Sequence, residues 1–422
     1  MKVLWLVNSI MPELSVHLGG KPSVFGGWLI GAMKAVRKSG AEMVICTAVP
    51  SSSQAGRYEL PGAVYYICAY HEQSGLKKEF QTILDREQPD LVHIFGTEYE
   101  AAYCMEQVSN LSRTVLTLQG ALQYIWKTCC DGIPEKVLGN TFLHLIRRSV
   151  GMGGKNLKHR QEDLRQRAQL EKQIIEKIRY ADGCSQWGSA YIAGSNPKCK
   201  VFQCGCFLRD PFYEEPRWNT DQCKPYTVFA LMTRPEKGAH MLIEAMRYVV
   251  MKYPEAKLII AGDYFSYREY SGLKRRIQDL TPDYYWYIQQ LVDRYHLRNN
   301  ICFLGNLNAE QMKQQMLSAN VFVSPSSHEH LATALGEARL IGTPSIATAV
   351  GAIPEMIGHG EDGYLYHFYE TNVLAQYICN LFENPDLANQ FSVKGREHAL
   401  RTYSPERCSE SLIAMYHTIL EQ

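Results

Sequence analysis

Short apolar runs alternate with amphipathic stretches along almost the whole chain. In the first half, residues 3–8, 43–47, 64–68, 91–95, 114–118 and 201–203 read as strands, and 28–38, 76–88 and 165–180 have helical spacing. Continuous apolar runs, rather than strict alternation, mark strands buried on both faces, which means parallel sheets covered by crossover helices. The polar, Pro-containing segment 214–225 interrupts the series. Beyond it, strands are predicted at 226–231, 258–261, 301–304, 321–324 and 345–347, followed by helices at 370–382, 386–401 and 405–420. The pattern predicts an α/β protein of two Rossmann-like, doubly wound domains, 1–213 and 225–403, plus a last helix over 404–422. Such sheets bind ligands beyond the C-terminal ends of their strands, where the strand order reverses.

At 422 residues the chain is too long for one ordinary domain, and 46% hydrophobic with 21% charged residues is an ordinary globular balance. Lys plus Arg number 44 against 43 Asp plus Glu, so global charge gives no support for nucleic-acid binding. The apolar run at the N-terminus is too short for a signal-peptide core, and no stretch approaches the roughly 20 apolar residues of a membrane span. A cytoplasmic protein is expected. The 13 cysteines include the adjacent Cys129 and Cys130 but no Cys-x-x-Cys, which points to reduced thiols. Segments 151–160 and 263–283 read as irregular loops. Residues 147–179 hold ten basic and four acidic side chains, a solvated helix face or a weak contact with an anionic membrane.

The densest chemistry lies in Ser327-His328-Glu329-His330-Leu331-Ala332-Thr333, continuing to Glu337, Gly342 and Pro344. A helix predicted over 331–341 follows a buried strand, so the backbone N–H groups of Leu331, Ala332 and Thr333 open towards a phosphate. Eight residues of helix rise roughly 12 Å. Glu329 and Glu337 could therefore grip hydroxyls at the two ends of a ligand whose negative charge lies between them. His328 and His330 lack the His-Glu-x-x-His helical spacing of a zinc site. No Asp-x-Asp occurs in the chain.

The Glu-x7-Glu element, with Gly342-Thr343-Pro344, the string from Val350 to Glu355 and that from Gly360 to Leu365, resembles the donor-binding half of the retaining family 4 glycosyltransferases of GT-B fold. The resemblance implies two domains facing a cleft, with the last helix crossing back to the N-domain. It implies a metal-independent transfer, with no cofactor, from a nucleoside diphosphate sugar, UDP-linked by expectation, to a saccharide, lipid-linked or small-molecule hydroxyl acceptor, as in surface polysaccharide synthesis. Glu337 would bind ribose and Glu329 the transferred sugar. Lys237, aided by Arg234, would neutralise the departing diphosphate. The family's Arg position, five residues before the Lys, is Met232 here.

Gly26 and Gly27 open a helix after the first strand and would let the backbone approach a ligand closely; the resemblance implies that this ligand is the diphosphate and acceptor. Gln119 stands where many relatives have His; it can position a sugar but cannot act as a base. Glu98, at another strand end, is a further binding candidate, and His93, inside an apolar strand, reads as a core histidine. An epimerase or hydrolase using the same site and a silent nucleotide-sugar-binding protein are the competing readings.

Overall fold

The computed structural model describes residues 1–20, 26–50, 52–139, 149, 156–262, 272, 276–277 and 283–422, which form two compact units. Met1–Gln123, Gln166–Arg209 and Thr402–Gln422 make the first; Tyr124–Arg165 and Asp210–Arg401 make the second. Most of the anticipated loop 263–283, half of 151–160, residues 147, 148 and 150–155 of the basic stretch, and 21–25 of the loop after the first strand lie outside the described residues.

The first unit is built on β1 (Lys2–Val7), β2 (Glu42–Val49), β3 (Gly56–Leu60), β4 (Ala63–Ala69), β5 (Leu91–Phe95), β6 (Thr114–Thr117), β7 (Tyr180–Asp182) and β8 (Lys200–Phe202), in the order β3-β4-β2-β1-β5-β6-β7-β8. Val3, Trp5 and Val7 enter one apolar cluster while Leu4 and Leu6 enter another, so β1 is covered on both faces, as its uninterrupted apolar run requires. β3 departs from the all-parallel expectation. It pairs antiparallel with β4, and its polar, largely exposed sequence gives no apolar run to read. The helix expected over 165–180 runs instead from Leu157 to Lys177, and β7 follows it.

The last helix, Pro405–Leu420, belongs to this unit. Cys408, Leu412, Met415, Tyr416 and Ile419 lie in the same cluster as Trp5. A buried hydrogen-bond chain reinforces the packing. The Trp5 indole N–H donates to the Tyr416 hydroxyl oxygen (3.0 Å), and His93 lies 2.6 Å from that oxygen through Nδ1 and 2.7 Å from Thr117 Oγ1 through Nε2. The Thr117 hydroxyl donates to Asp182 Oδ2 (3.3 Å). An indole only donates and a carboxylate only accepts, so a single tautomer fits: Tyr416 donates to Nδ1 and the Nε2–H to Thr117. Burial pushes His93 down to about 3, keeping the ring neutral.

The second unit has β9 (Thr227–Leu231), β10 (Lys257–Ala261), β11 (Ile301–Phe303), β12 (Val321–Ser324), β13 (Ser345–Thr348) and β14 (Tyr364–Tyr366), all parallel, ordered β11-β10-β9-β12-β13-β14. Tyr124–Arg165 groups with it by contact, whereas the division at 213 drawn from the sequence puts this segment in the first domain. The helix expected from 331 begins at Thr333, because Ala332 (φ −80°, ψ 65°) makes an inverse γ-turn in which Thr333 N–H donates to the Leu331 carbonyl at 2.9 Å. Strand order reverses between β1 and β5 in one sheet and between β9 and β12 in the other.

Candidate functional site

In the second unit, the chain leaving β9 first buries Met232 fully and then makes a short 3-10 turn, Pro235–Lys237, that stops at Gly238. Gly238 has φ +71°, and a Cβ there would collide with the carbonyl oxygen of Pro325, just past β12. Only glycine allows the two loops this approach. Its product is an ion pair between Lys237 Nζ and Glu329 Oε1, with Ser326 Oγ donating to the same oxygen at 2.9 Å. The loop after β13 closes from a third side. Gly351 (φ +53°) presses on the carbonyl oxygen of Glu329, which also accepts from Ala352 N–H at 3.2 Å. Glu329 is only 8% exposed, so these partners take the place of the water it has lost. Two sequence candidates 92 residues apart are thus joined where strand order reverses.

Arg234 is not part of the pair. It is half exposed and lies 4.0 Å from Glu236, whose carboxylate is bound by Arg160 at 2.6 Å. Glu337 is buried within the helix Thr333–Ile341, and Ala332 is buried before it, with Leu331 and Thr333 partly exposed at the helix start. Ser327 N–H donates to the Glu236 carbonyl (2.8 Å) and Ser327 Oγ to that of Thr128 (2.9 Å). His328 stacks on Tyr124, and burial lowers it to about 4. His240 lies 2.9 Å from the Asp131 carbonyl through Nε2, so that nitrogen carries the proton and Nδ1 accepts from Tyr284. Burial lowers His240 to about 4 as well.

In the first unit, Asn8 at the end of β1 donates through Nδ2 to Glu98 Oε2 (2.9 Å) and Gln119 Oε1 (3.3 Å). Two further candidates are therefore neighbours, around Gly96 with φ +82°. Gly26 caps the helix Gly27–Lys38, and a Cβ there would lie 2.8 Å from Ser9 Oγ; one on Gly27 would press equally on Arg209. Beneath this cluster the fully buried Glu171 accepts from Thr97 Oγ1 (2.6 Å), Tyr191 OH (2.8 Å) and the N–H groups of Leu122 and Gln123 (both 3.2 Å). Burial pushes its carboxyl up despite these donors. Sequence reading missed Asn8, Glu171, Arg160 and Glu236. Asn8 alone had a signal, a polar residue closing an apolar strand.

Residues 214–398 match the family model described as Glycosyl transferases group 1. The protein YtcC of Bacillus subtilis is 30% identical over 200 residues, covering 47% of this chain and 46% of YtcC. The chain spans about half the length of the curated relatives it matches. Among solved structures, sucrose-phosphate synthase from Thermosynechococcus elongatus superposes with a TM-score of 0.68 at 17% identity, covering 100% of this chain and 99% of that one. Anabaena HepE in complex with UDP and glucose gives 0.64 at 17% identity, covering 100% and 98%. These likenesses identify the fold as GT-B. No described helix is long and apolar enough to cross a membrane.

Proposed function

We propose that this chain is a retaining glycosyltransferase that moves a sugar from a nucleoside diphosphate donor, a UDP sugar, to a hydroxyl acceptor of the saccharide or glycoconjugate class. The observation behind the reading is the Lys237–Glu329 pair at the reversal between β9 and β12. An ion pair at such a crevice holds a cation and a carboxylate ready for exchange: Lys237 passes to the diphosphate, and Glu329 accepts hydrogen bonds from the sugar hydroxyls instead. Glu337 takes the ribose hydroxyls, and the N–H groups at the start of Thr333–Ile341 meet the phosphates. Lys237 and these dipoles stabilise the leaving group, so the reading assigns no metal.

In the transfer, the bond from the anomeric carbon to the diphosphate oxygen breaks, and the acceptor oxygen bonds that carbon from the same face. The acceptor proton passes to the departing phosphate oxygen. Asn8, Glu98 and Gln119 are assigned to orienting hydroxyls. The match over 214–398, which contains Lys237, Glu329 and Glu337, and the UDP held by HepE support the reading.

A thermal-shift series with UDP, GDP, ADP, CDP and TDP tests it. Selective stabilisation by UDP is expected by mass action, together with loss of UDP-sugar turnover in E329Q. NMR of the product should show an unchanged anomeric configuration. Stabilisation by none of the five would remove the basis for the proposal, and donor consumed equally well without acceptor would replace transfer by hydrolysis.

A further inference from the structure

The turn that follows the helix Leu122–Thr128 brings two thiols together beside the donor site. Cys129 is buried, Cys130 is partly exposed, and their Sγ atoms are 3.8 Å apart. The turn is fastened to the loop that carries Glu329 and to the helix Ala239–Lys252 that follows Lys237. The Thr128 carbonyl accepts from Ser327 Oγ at 2.9 Å, and the Asp131 carbonyl lies 2.9 Å from His240 Nε2. Gly132 (φ +72°) packs so closely that a Cβ would lie 2.8 Å from His240 Nε2 and 2.9 Å from Met241 Sδ. The hydrogen bond between the two thiols, against burial and Glu236, holds the Cys130 thiol below its usual range, while Cys129 is pushed up. The more exposed sulfur is thus the better nucleophile.

We propose that Cys129 and Cys130 are a hydroperoxide-reactive modification site whose oxidation to a vicinal disulfide weakens nucleotide binding at the Lys237–Glu329 site. The nucleotide half of this inference rests on the function proposed above. The Cys130 thiolate attacks the peroxide oxygen, breaking the O–O bond; with one proton this gives Cys130 sulfenic acid and water, or an alcohol from an organic hydroperoxide. Cys129 then attacks the sulfenic sulfur, forming the S–S bond and expelling a second water. Overall two thiols are oxidised and one peroxide is reduced. Adjacent Cα atoms are about 3.8 Å apart, short of the roughly 4.4–6.8 Å of ordinary disulfides, so the bridge is strained and readily reduced by dithiols. Closing the sulfurs to about 2.05 Å rotates the peptide between them. The flanking carbonyls of Thr128 and Asp131, which hold Ser327 and His240, move with it.

The test uses the full chain, reduced, exposed to hydrogen peroxide and then returned to dithiothreitol. Peptide mass spectrometry should show loss of two hydrogens on the 129–130 peptide. The UDP dissociation constant should rise about tenfold on oxidation, recover on reduction, and stay constant through the same cycle in C130S. No cross-link at 129–130 overturns the site; a complete cross-link with unchanged UDP affinity overturns the coupling, as does equal peroxide sensitivity in C130S. Reduced protein that binds no nucleoside diphosphate overturns the functional reading and the coupling with it, while the mass spectrum still decides the dithiol.

Discussion

The two sheets reverse strand order in the same way and place different chemistry at the reversal. In the second unit, loops after β9, β12 and β13 meet through Gly238 and Gly351 and present opposite charges, Lys237 against Glu329. In the first, loops after β1, β5 and β6 present two amides and one carboxylate, Asn8, Gln119 and Glu98, above the buried Glu171. Topology decides which loops meet. Residue choice decides whether they carry an ion pair or a set of amide and carboxylate groups joined by hydrogen bonds.

The largest expected effect tests that contrast directly. K237A should lower kcat with a UDP sugar by about 10²–10³-fold, as removal of a group stabilising transition-state charge does. N8A, which removes two hydrogen bonds and no charge, should lower kcat/KM by less than about tenfold. Equal losses would erase the distinction between the two regions.

Next in size is G351A. A side chain at φ +53° that also meets the Glu329 carbonyl should destabilise the second unit by roughly 3 kcal/mol in urea unfolding. G360A, equally left-handed (φ +78°) but with open space around it, should lose only about 1 kcal/mol. Similar values would mean that the crowding at Glu329 is not what selects glycine.

Acid should separate the units more gently. His240 and His328 stay neutral in the fold down to about 4, whereas an unfolded chain takes up their protons from about 6.5. Between those values each lowers stability by roughly 1 kcal/mol per pH unit as pH falls. In the first unit His93 acts in the same sense. Glu171 and Asp182, raised by burial, act in the opposite one, binding protons in the fold before the unfolded chain does. Hydrogen exchange at pH 7 and 5, corrected for intrinsic rate, should show the second unit losing protection first. The smallest effect is expected from R234A, half exposed and outside the ion pair, with kcat/KM changed less than about threefold.

The inner strands were legible because burial on both faces writes an uninterrupted apolar run. β3, exposed and polar, and β7, three residues long, leave no such trace. As candidates, Glu329 and Glu337 were legible through their spacing, and Lys237 through the resemblance to the family pattern. That Lys237 and Glu329 touch was not, since it depends on Gly238 meeting Pro325 across two loops. Glu171 and Asn8 were hidden for a related reason. Their partners lie 20 to 111 residues away; nothing local distinguishes Glu171 from a solvated glutamate, and the polar residue closing an apolar strand marks the position of Asn8 but not its partners.

Trp5 and Tyr416 are 411 residues apart in the chain, yet their hydrogen bond lies in the core of one unit. On the ribosome, the first strand emerges 411 residues ahead of the hydroxyl that its indole, and then His93, require. The first unit therefore must hold an apolar face open until the helix Pro405–Leu420 has been made. A chain cut short before Tyr416 would lose its beginning as surely as its end.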